Sequence, residues 1–269
     1  MPAGIENGVF HVELLSPKQS ADDLEADLAR FAERYRRILD AGHAVCIPDN
    51  PMGTLAFHAT ELIRELALPA GNGRISAHIN TFHTRKNLDE ILAMAIDLGI
   101  DNLLTISGDG SPRLPRLSGG DLGENVHSVT AVELLKHVRR ACPGRFSIGV
   151  AFNPYEPQDD ELEKMRMKVD AGADFITTQP VLGEHPAVEA LHEFGLPIVL
   201  GCWMSKRLYL LSECVGYEIP QDAVYDGLEN LRALTGRYPG CGFYLTMLGF
   251  KTQFPQLGEV WPRDEEGEA

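Results

Sequence analysis

The sequence predicts a single (β/α)8 barrel of the TIM type. Short apolar or β-branched segments alternate with amphipathic segments eight times along 269 residues, and strand followed by helix implies a parallel sheet. One such barrel accommodates about 250 residues as one unit. No Gly-x-Gly-x-x-Gly turn follows the first predicted strand, which argues against an open dinucleotide-binding sheet. We therefore expect one catalytic domain over residues 1–262.

The eight predicted strands are short runs of apolar and β-branched residues, at 9–15, 43–47, 74–79, 102–106, 146–151, 174–178, 197–201 and 241–247. The predicted helices have apolar residues at three- and four-residue spacing, at 21–40, 55–66, 88–98, 125–141, 159–171, 186–194, 206–214 and 221–235. After the eighth strand only 250–260 remains apolar, so the closing helix is expected to be short or absent. Residues 263–269 form an acidic tail that is predicted to be disordered because it has nothing apolar to bury.

Glycines mark the joints between helices and strands. Gly42, Gly99, Gly172 and Gly195 each stand at the end of a predicted helix, shortly before the next strand. Glycine adopts the left-handed conformation that ends helices without steric cost, so we predict left-handed caps at these four positions.

Composition excludes several classes of partner. The chain has 24 Lys and Arg against 39 Asp and Glu, a net charge of −15, which disfavours nucleic acid. No apolar run approaches the roughly 20 residues of a membrane span. Five cysteines lack Cys-x-x-Cys spacing, the start of the chain lacks a secretory pattern, and the nine histidines lack metal-ligand spacing. We expect a cytoplasmic protein with reduced thiols, no metal and small-molecule partners, and homo-oligomerisation stays open.

The active site of such a barrel forms at the carboxyl ends of its strands, which directs attention to Glu13. Side chains alternate along a strand, so Glu13 faces the barrel interior if Phe10 and Val12 pack under the helices. Burial raises the pKa of a carboxyl group and suits it to donate a proton near neutral pH. The alternative is an ion pair that plugs the barrel.

Three other polar residues follow strand ends. Asp109 stands between two glycines after the fourth strand, a pattern that is also ordinary in turns. His78 lies near the end of the third strand, where it is as often a core residue as a ligand contact. Gln179 ends the sixth strand and offers donors and acceptors, or simply tethers a loop.

These residues occur in an order that resembles the methylenetetrahydrofolate reductase family. The resemblance covers nearly the whole chain and depends on Glu13 in a Glu-x-x-x-Pro setting, on the Gly108-Asp109 pair, and on Lys-Val-Asp-Ala-Gly-Ala at 168–173 leading to Thr178-Gln179. It implies reduction of 5,10-methylenetetrahydrofolate to 5-methyltetrahydrofolate by NAD(P)H, usually through FAD. Glu13 would be the general acid, Asp109 would lie beside the pterin as a second catalytic and folate-binding residue, Gln179 would bind folate, and His78 would lie near the flavin.

The departures from the family pattern fall on the flavin side. Ser107 stands where Arg is usual, Asn153 where Tyr is usual, and Cys46 where Thr is expected, while a basic pair is reduced to Met167-Lys168. The segment 47–53 replaces a more glycine-rich loop. The chain is therefore predicted to bind FAD weakly or not at all, to favour NADH as donor, and to keep His78, Lys168 and Asn153 as cofactor contacts.

Two other functions fit the same resemblance. A one-carbon transferase could use the folate pocket to pass a methyl group to an acceptor, because a fold does not fix a reaction. A non-catalytic folate-binding barrel could arise by decay of the cofactor site. Retention of Glu13 argues against the second, since binding alone does not require a buried acid.

Overall fold

A computed structural model describes residues 9–260, and within it eight parallel strands close into a barrel. Each strand pairs with the next along the chain, and the eighth pairs with the first. The strands are β1 (Phe10–Glu13), β2 (Ala44–Ile47), β3 (Ile75–Ile79), β4 (Asn102–Thr105), β5 (Ser147–Phe152), β6 (Phe175–Pro180), β7 (Ile198–Trp203) and β8 (Gly242–Thr246). The predicted barrel is confirmed, and each strand overlaps its predicted segment. The predicted acidic tail at 263–269 lies outside the described residues.

Helices surround the barrel. They are α1 (Leu24–Asp40), α2 (Ala59–Glu65), α3 (Arg85–Asp97), α4 (Gly119–Leu122), α5 (Ala131–Ala141), α6 (Gln158–Asp170), α7 (Pro186–Ala190), α8 (Leu208–Val215), α9 (Gly227–Arg237) and α10 (Phe250–Gln253). Short 3₁₀ helices lie at Pro51–Gly53, Leu191–Phe194 and Phe254–Glu259. Between β8 and residue 260, where the described chain ends, the closing segment consists of α10 and a 3₁₀ helix, which is short as the sequence predicts.

Capping residues place three helix starts four or more residues inside their predicted positions: those of α2, α5 and α9, the last of which begins at Gly227 rather than at 221 after an Asp226 cap. Helix α2 begins at Ala59 rather than at 55, because His58 accepts the amide hydrogen of Thr60 and Glu61 accepts that of His58. Helix α5 begins after Thr130 rather than at 125, for the same kind of reciprocal cap. The short helix α4 was not predicted from periodicity, since a single turn carries no repeat.

All four predicted glycine caps have left-handed backbones. The φ angles are 71° at Gly42, 71° at Gly99, 99° at Gly172 and 63° at Gly195. A side chain at these positions would strain the backbone. Glycine avoids this strain, so it ends each helix shortly before the next strand begins.

The strands separate two packing layers. Outward side chains such as Phe10 and Val12 join the large core beneath the helices, where each fully buried residue of this size contributes about 1.5–3 kcal/mol. Inward side chains form a small second cluster that includes Cys46, Phe175 and Tyr244. Gly149 makes room inside the barrel, because a Cβ there would lie 2.2 Å from the Phe175 ring. The inner layer is packed, not hollow, below the mouth formed by the strand ends.

Candidate active site

Glu13 is the last residue of β1, and its carboxyl group faces the barrel interior. Its Oε2 atom accepts hydrogen bonds from the Tyr244 hydroxyl at 2.7 Å and the Thr246 hydroxyl at 3.3 Å. Among residues 9–260, no Lys, Arg or His forms an ion pair with it, so the plugging ion pair is not present there. Burial raises the pKa of Glu13, and the hydrogen bonds from Tyr244 and Thr246 offset only part of that rise. The group is suited to carry and release a proton.

His78 lies on β3 beside Tyr244 in the same interior. The two rings are 5.9 Å apart at an interplanar angle of 33°. Burial lowers the pKa of His78 to about 4, so the ring is neutral at pH 7. Its Nε2 atom is buried, and no described residue hydrogen-bonds it. His78 is therefore an uncharged neighbour of the ring whose hydroxyl donates to Glu13.

Asp109 lies exposed on the loop that follows β4, and its Oδ2 atom accepts the amide hydrogen of Met52 at 2.8 Å. The pKa of the Cys214 thiol, on α8, is influenced by the charges of both acidic candidates. Burial raises the pKa of that thiol to about 11, and the charges of Glu13 and Asp109 add to the rise. Helix α8 thus lies within electrostatic range of both carboxyl groups.

Gln179 lies near the end of β6 and is exposed. The pairing of β6 with β7 shifts register between Thr177 and Pro180, so Gln179 falls outside the regular ladder. Such an irregularity re-aims a side chain at the rim of a barrel. Within the described part of the chain, the Gln179 amide has no hydrogen-bond partner, which leaves its donors and acceptors free for a ligand.

Lys168 and Asn153 both bond to residues around the turn that follows β5. The Lys168 ammonium donates to the Ala151 carbonyl at 2.6 Å and lies 3.8 Å from the Glu161 carboxylate. The Asn153 side chain accepts the amide hydrogen of Tyr155, and Glu161 accepts that of Asn153. These bonds fasten the turn to α6 and do not join either residue to Glu13 or Asp109. A cofactor-binding role for Lys168 and Asn153 stays a prediction.

A buried polar network that sequence reasoning missed fixes the loop after β2. The Asp49 side chain is 1% exposed, and its Oδ2 atom lies 2.7 Å from Nε2 of His83 and 2.9 Å from the amide nitrogen of Asn80. Burial opposes ionisation of Asp49, but the hydrogen bond from His83, the electrostatic influence of His58 and His83, and the hydrogen bond from Asn80 together hold its pKa below the usual value. The network ties the loop after β2 to the loop after β3.

A cavity of about 410 Å³ lies outside the barrel mouth, between the residues that follow Glu13 and the first half of α1. It is lined by Leu14, Leu15, Ser16, Pro17, Lys18, Ser20, Ala21, Asp22, Asp27, Arg30, Phe31 and Arg34. None of the predicted site residues lines it. Across residues 9–260, no helix is both long and apolar enough for a membrane span, and no group of three or more His, Cys, Asp or Glu is arranged to hold a metal.

Comparison with known proteins shows the family to which the chain is similar. The family model for methylenetetrahydrofolate reductase matches residues 6–184. The chain belongs to the methylenetetrahydrofolate reductase family. Glu13, His78, Asp109 and Gln179 all lie within the matched region, so the family assignment covers the barrel mouth from β1 to the end of β6.

The curated relatives within the methylenetetrahydrofolate reductase family are distant and longer. A Caenorhabditis elegans protein named "Probable methylenetetrahydrofolate reductase (NADPH)" is 30% identical over 169 residues, which are 57% of this chain and 23% of that protein. "Methylenetetrahydrofolate reductase 1" of Schizosaccharomyces pombe (strain 972 / ATCC 24843) is 34% identical over 97 residues, 34% of this chain and 15% of that protein. The matched segments therefore span less than a quarter of either relative.

Among solved structures, a 2,3-dimethylmalate lyase of the PEP mutase/isocitrate lyase superfamily has a TM-score of 0.51. The two chains are 10% identical, and the match covers 95% of this chain and 80% of the lyase chain. Identity at this level shows a shared barrel fold alone.

Proposed function

We propose that the chain reduces 5,10-methylenetetrahydrofolate to 5-methyltetrahydrofolate with a hydride from NAD(P)H. The observation that carries this proposal is the half-buried carboxyl group of Glu13, whose hydrogen-bond partners are the hydroxyls of Tyr244 and Thr246 rather than a cation. A carboxyl group kept for structure alone would be expected in an ion pair. Membership of the family supplies the substrate class.

The first proposed step is proton transfer from Glu13 to a nitrogen of the five-membered folate ring. The C–N bond at that nitrogen then breaks, and its electron pair stays on the nitrogen while an iminium forms at the exocyclic carbon. The resulting Glu13 carboxylate accepts hydrogen bonds from Tyr244 and Thr246, which strengthen as charge develops. General acid catalysis of this kind contributes typically 10²–10⁴-fold.

Asp109 and Gln179 are proposed to bind the folate. One Asp109 oxygen is used by the Met52 amide, and a carboxylate has further acceptor sites for the amino and ring N–H groups of a pterin. Its negative charge also balances the developing cation. Gln179, exposed at the irregular end of β6, orients the substrate through its unused amide.

The residues at the positions of the family's flavin contacts do not fit FAD. Cys46 is buried inside the barrel, with its sulfur 3.9 Å from the His11 ring, and Asn153 and Lys168 are engaged in the turn after β5. A pyrophosphate at these positions would lack charge-assisted hydrogen bonds. We therefore propose that the nicotinamide lies directly against the folate. Its hydride passes to the iminium carbon, giving the methyl group and NAD(P)⁺.

The choice of donor is part of the proposal. We propose NADH as the donor, whereas the name of the Caenorhabditis elegans relative specifies NADPH. Initial rates with each nucleotide at equal concentration decide between them.

The test is a coupled measurement on purified chain. Oxidation of NADH or NADPH should depend on added methylenetetrahydrofolate, and mass spectrometry should detect 5-methyltetrahydrofolate in equal amount. Folate binding without nucleotide oxidation would contradict the reductase. Methyl transfer to an acceptor in the absence of nucleotide would instead favour the one-carbon transferase, and binding with neither reaction would favour the non-catalytic barrel.

A further inference from the structure

The loop between β2 and α2 holds an unusual run of left-handed backbone. Asn50, Met52 and Gly53 have φ angles of 46°, 55° and 64°. Glycine adopts this region freely, whereas methionine rarely does, because its Cβ crowds the backbone. The strained residue is Met52.

Several contacts hold Met52 in this conformation. The Asn50 side-chain oxygen accepts the amide hydrogen of Ala56 at 3.0 Å and closes the loop, while the Met52 amide donates to Asp109 at 2.8 Å. The next residue, Gly53, packs so tightly on the loop after β4 that a Cβ would lie 2.9 Å from the Gly110 carbonyl oxygen. The strain therefore persists because the surrounding structure fixes it.

The Met52 side chain is apolar but does not pack in the hydrophobic core. Met52 is 69% exposed and belongs to none of the buried clusters of the described residues. Its amide contacts the carboxylate proposed to bind the pterin, so the side chain starts from a backbone held beside that carboxylate. Strained residues concentrate at sites of ligand contact, and folding alone gives no reason to hold an exposed methionine here.

We propose that Met52 is a folate-contact residue whose side chain packs on the planar ring system that Asp109 binds. The inference rests on the proposed function and adds a residue to that site. Methionine suits such a contact because its thioether is flexible and packs favourably against aromatic rings. The Met52–Asp109 hydrogen bond joins the loop after β2 to the loop after β4, so it holds the Met52 backbone beside the carboxylate.

Three variants test the proposal. Met52→Gly keeps the left-handed backbone and the bond to Asp109 but removes the side chain, and Met52→Leu keeps an apolar side chain. Ala67→Gly is the matched control, because Ala67 also has a left-handed backbone, with a φ of 45°. It lies just after α2, at the end of that helix that faces away from the loop in sequence. Isothermal titration with tetrahydrofolate, KM and kcat, and Tm are measured for each.

We expect Met52→Gly to weaken tetrahydrofolate binding and raise KM by roughly tenfold, with kcat and Tm close to the wild-type values. Met52→Leu and Ala67→Gly should bind within about twofold of wild type. Wild-type affinity in Met52→Gly would overturn the proposal, and so would an equal loss in Ala67→Gly or Met52→Leu. Failure of the wild-type chain to bind any folate would instead overturn the proposed function, and this inference with it.

Discussion

The hydroxyl of Tyr244 donates a hydrogen bond to Oε2 of Glu13 at 2.7 Å, across the junction of the last strand and the first. This bond favours the ionised carboxylate, whereas burial favours the neutral acid. Burial is the larger influence, and the pKa of Glu13 is raised. Tyr244 therefore limits the rise in the pKa of the group that is proposed to protonate the substrate.

Replacing Tyr244 by Phe should move the pH profile of kcat. A general acid acts in its protonated form, so the rate falls as pH rises through the pKa of Glu13. Loss of the Tyr244 donor raises that pKa further, so the alkaline limb should move to higher pH. Thr246→Val removes the longer, weaker bond at 3.3 Å and should produce a smaller shift in the same direction. A shift to lower pH in Tyr244→Phe would contradict the assignment.

Glu13→Gln should lose most turnover and gain stability above neutral pH. The amide cannot supply a proton, so kcat should fall by about 10²–10⁴-fold. Because the folded-state pKa of Glu13 is raised, its contribution to stability is present below its unfolded pKa and is lost as pH rises through the folded value. The amide does not titrate, so Tm should exceed the wild-type Tm at alkaline pH. Near-normal kcat in a folded variant would exclude Glu13 as the acid.

Asp109→Ala and Gln179→Ala should weaken tetrahydrofolate binding by different amounts. A hydrogen bond to a charged group contributes about 1.5–3 kcal/mol and a neutral one about 0.5–1.5 kcal/mol, so we expect roughly tenfold or more for Asp109 and a few-fold to tenfold for Gln179. Only the Asp109 variant should also lower kcat. Asp109→Asn keeps an acceptor for the Met52 amide and separates loss of charge from loss of the loop contact. Unchanged affinity in both alanine variants would place the pterin elsewhere.

Protein purified without added FAD should be colourless and still oxidise NADH or NADPH when methylenetetrahydrofolate is present. Direct hydride transfer requires both substrates bound together, so double-reciprocal initial-rate plots should intersect. A flavin that shuttles hydride in one shared pocket gives parallel lines. Stoichiometric yellow protein with parallel lines would overturn the flavin-free reaction but not the reductase.

The folded state should lose stability in mild acid because of His78. Its pKa is lowered from 6.5 to about 4 by burial, so the folded chain binds fewer protons than the unfolded chain between those values. Stability should therefore fall as pH decreases from 6.5 towards 4, by about 3 kcal/mol from this residue. His78→Phe, which does not titrate, should flatten the dependence of Tm on pH. His58 also has a lowered pKa, mainly through burial, and should leave a residual slope.

Residue alternation predicted the orientation of Glu13, but its partners could not be read from the sequence. Tyr244 and Thr246 lie more than 230 residues away along the chain and meet Glu13 only because the barrel closes. The surroundings of Lys168 were likewise not readable from the sequence. Its position in a family motif predicts a cofactor contact, which stays a prediction, and only the structure shows that its ammonium donates to the Ala151 carbonyl, a neighbour created by the packing of α6 on β5.

The sequence by itself determined the barrel, its helix-ending glycines and the inward position of Glu13. These features follow from local periodicity and from the backbone preferences of single residues, which act over a few positions. Tertiary structure alone decided that Glu13 is bound by hydroxyls, that Asp49 is held by His83 and Asn80, and that Asp109 holds the strained Met52. Each of these contacts joins different strands or loops, and the closure of eight strands sets their distances. A pattern of residue types records which face a side chain takes, but not which distant group will meet it there.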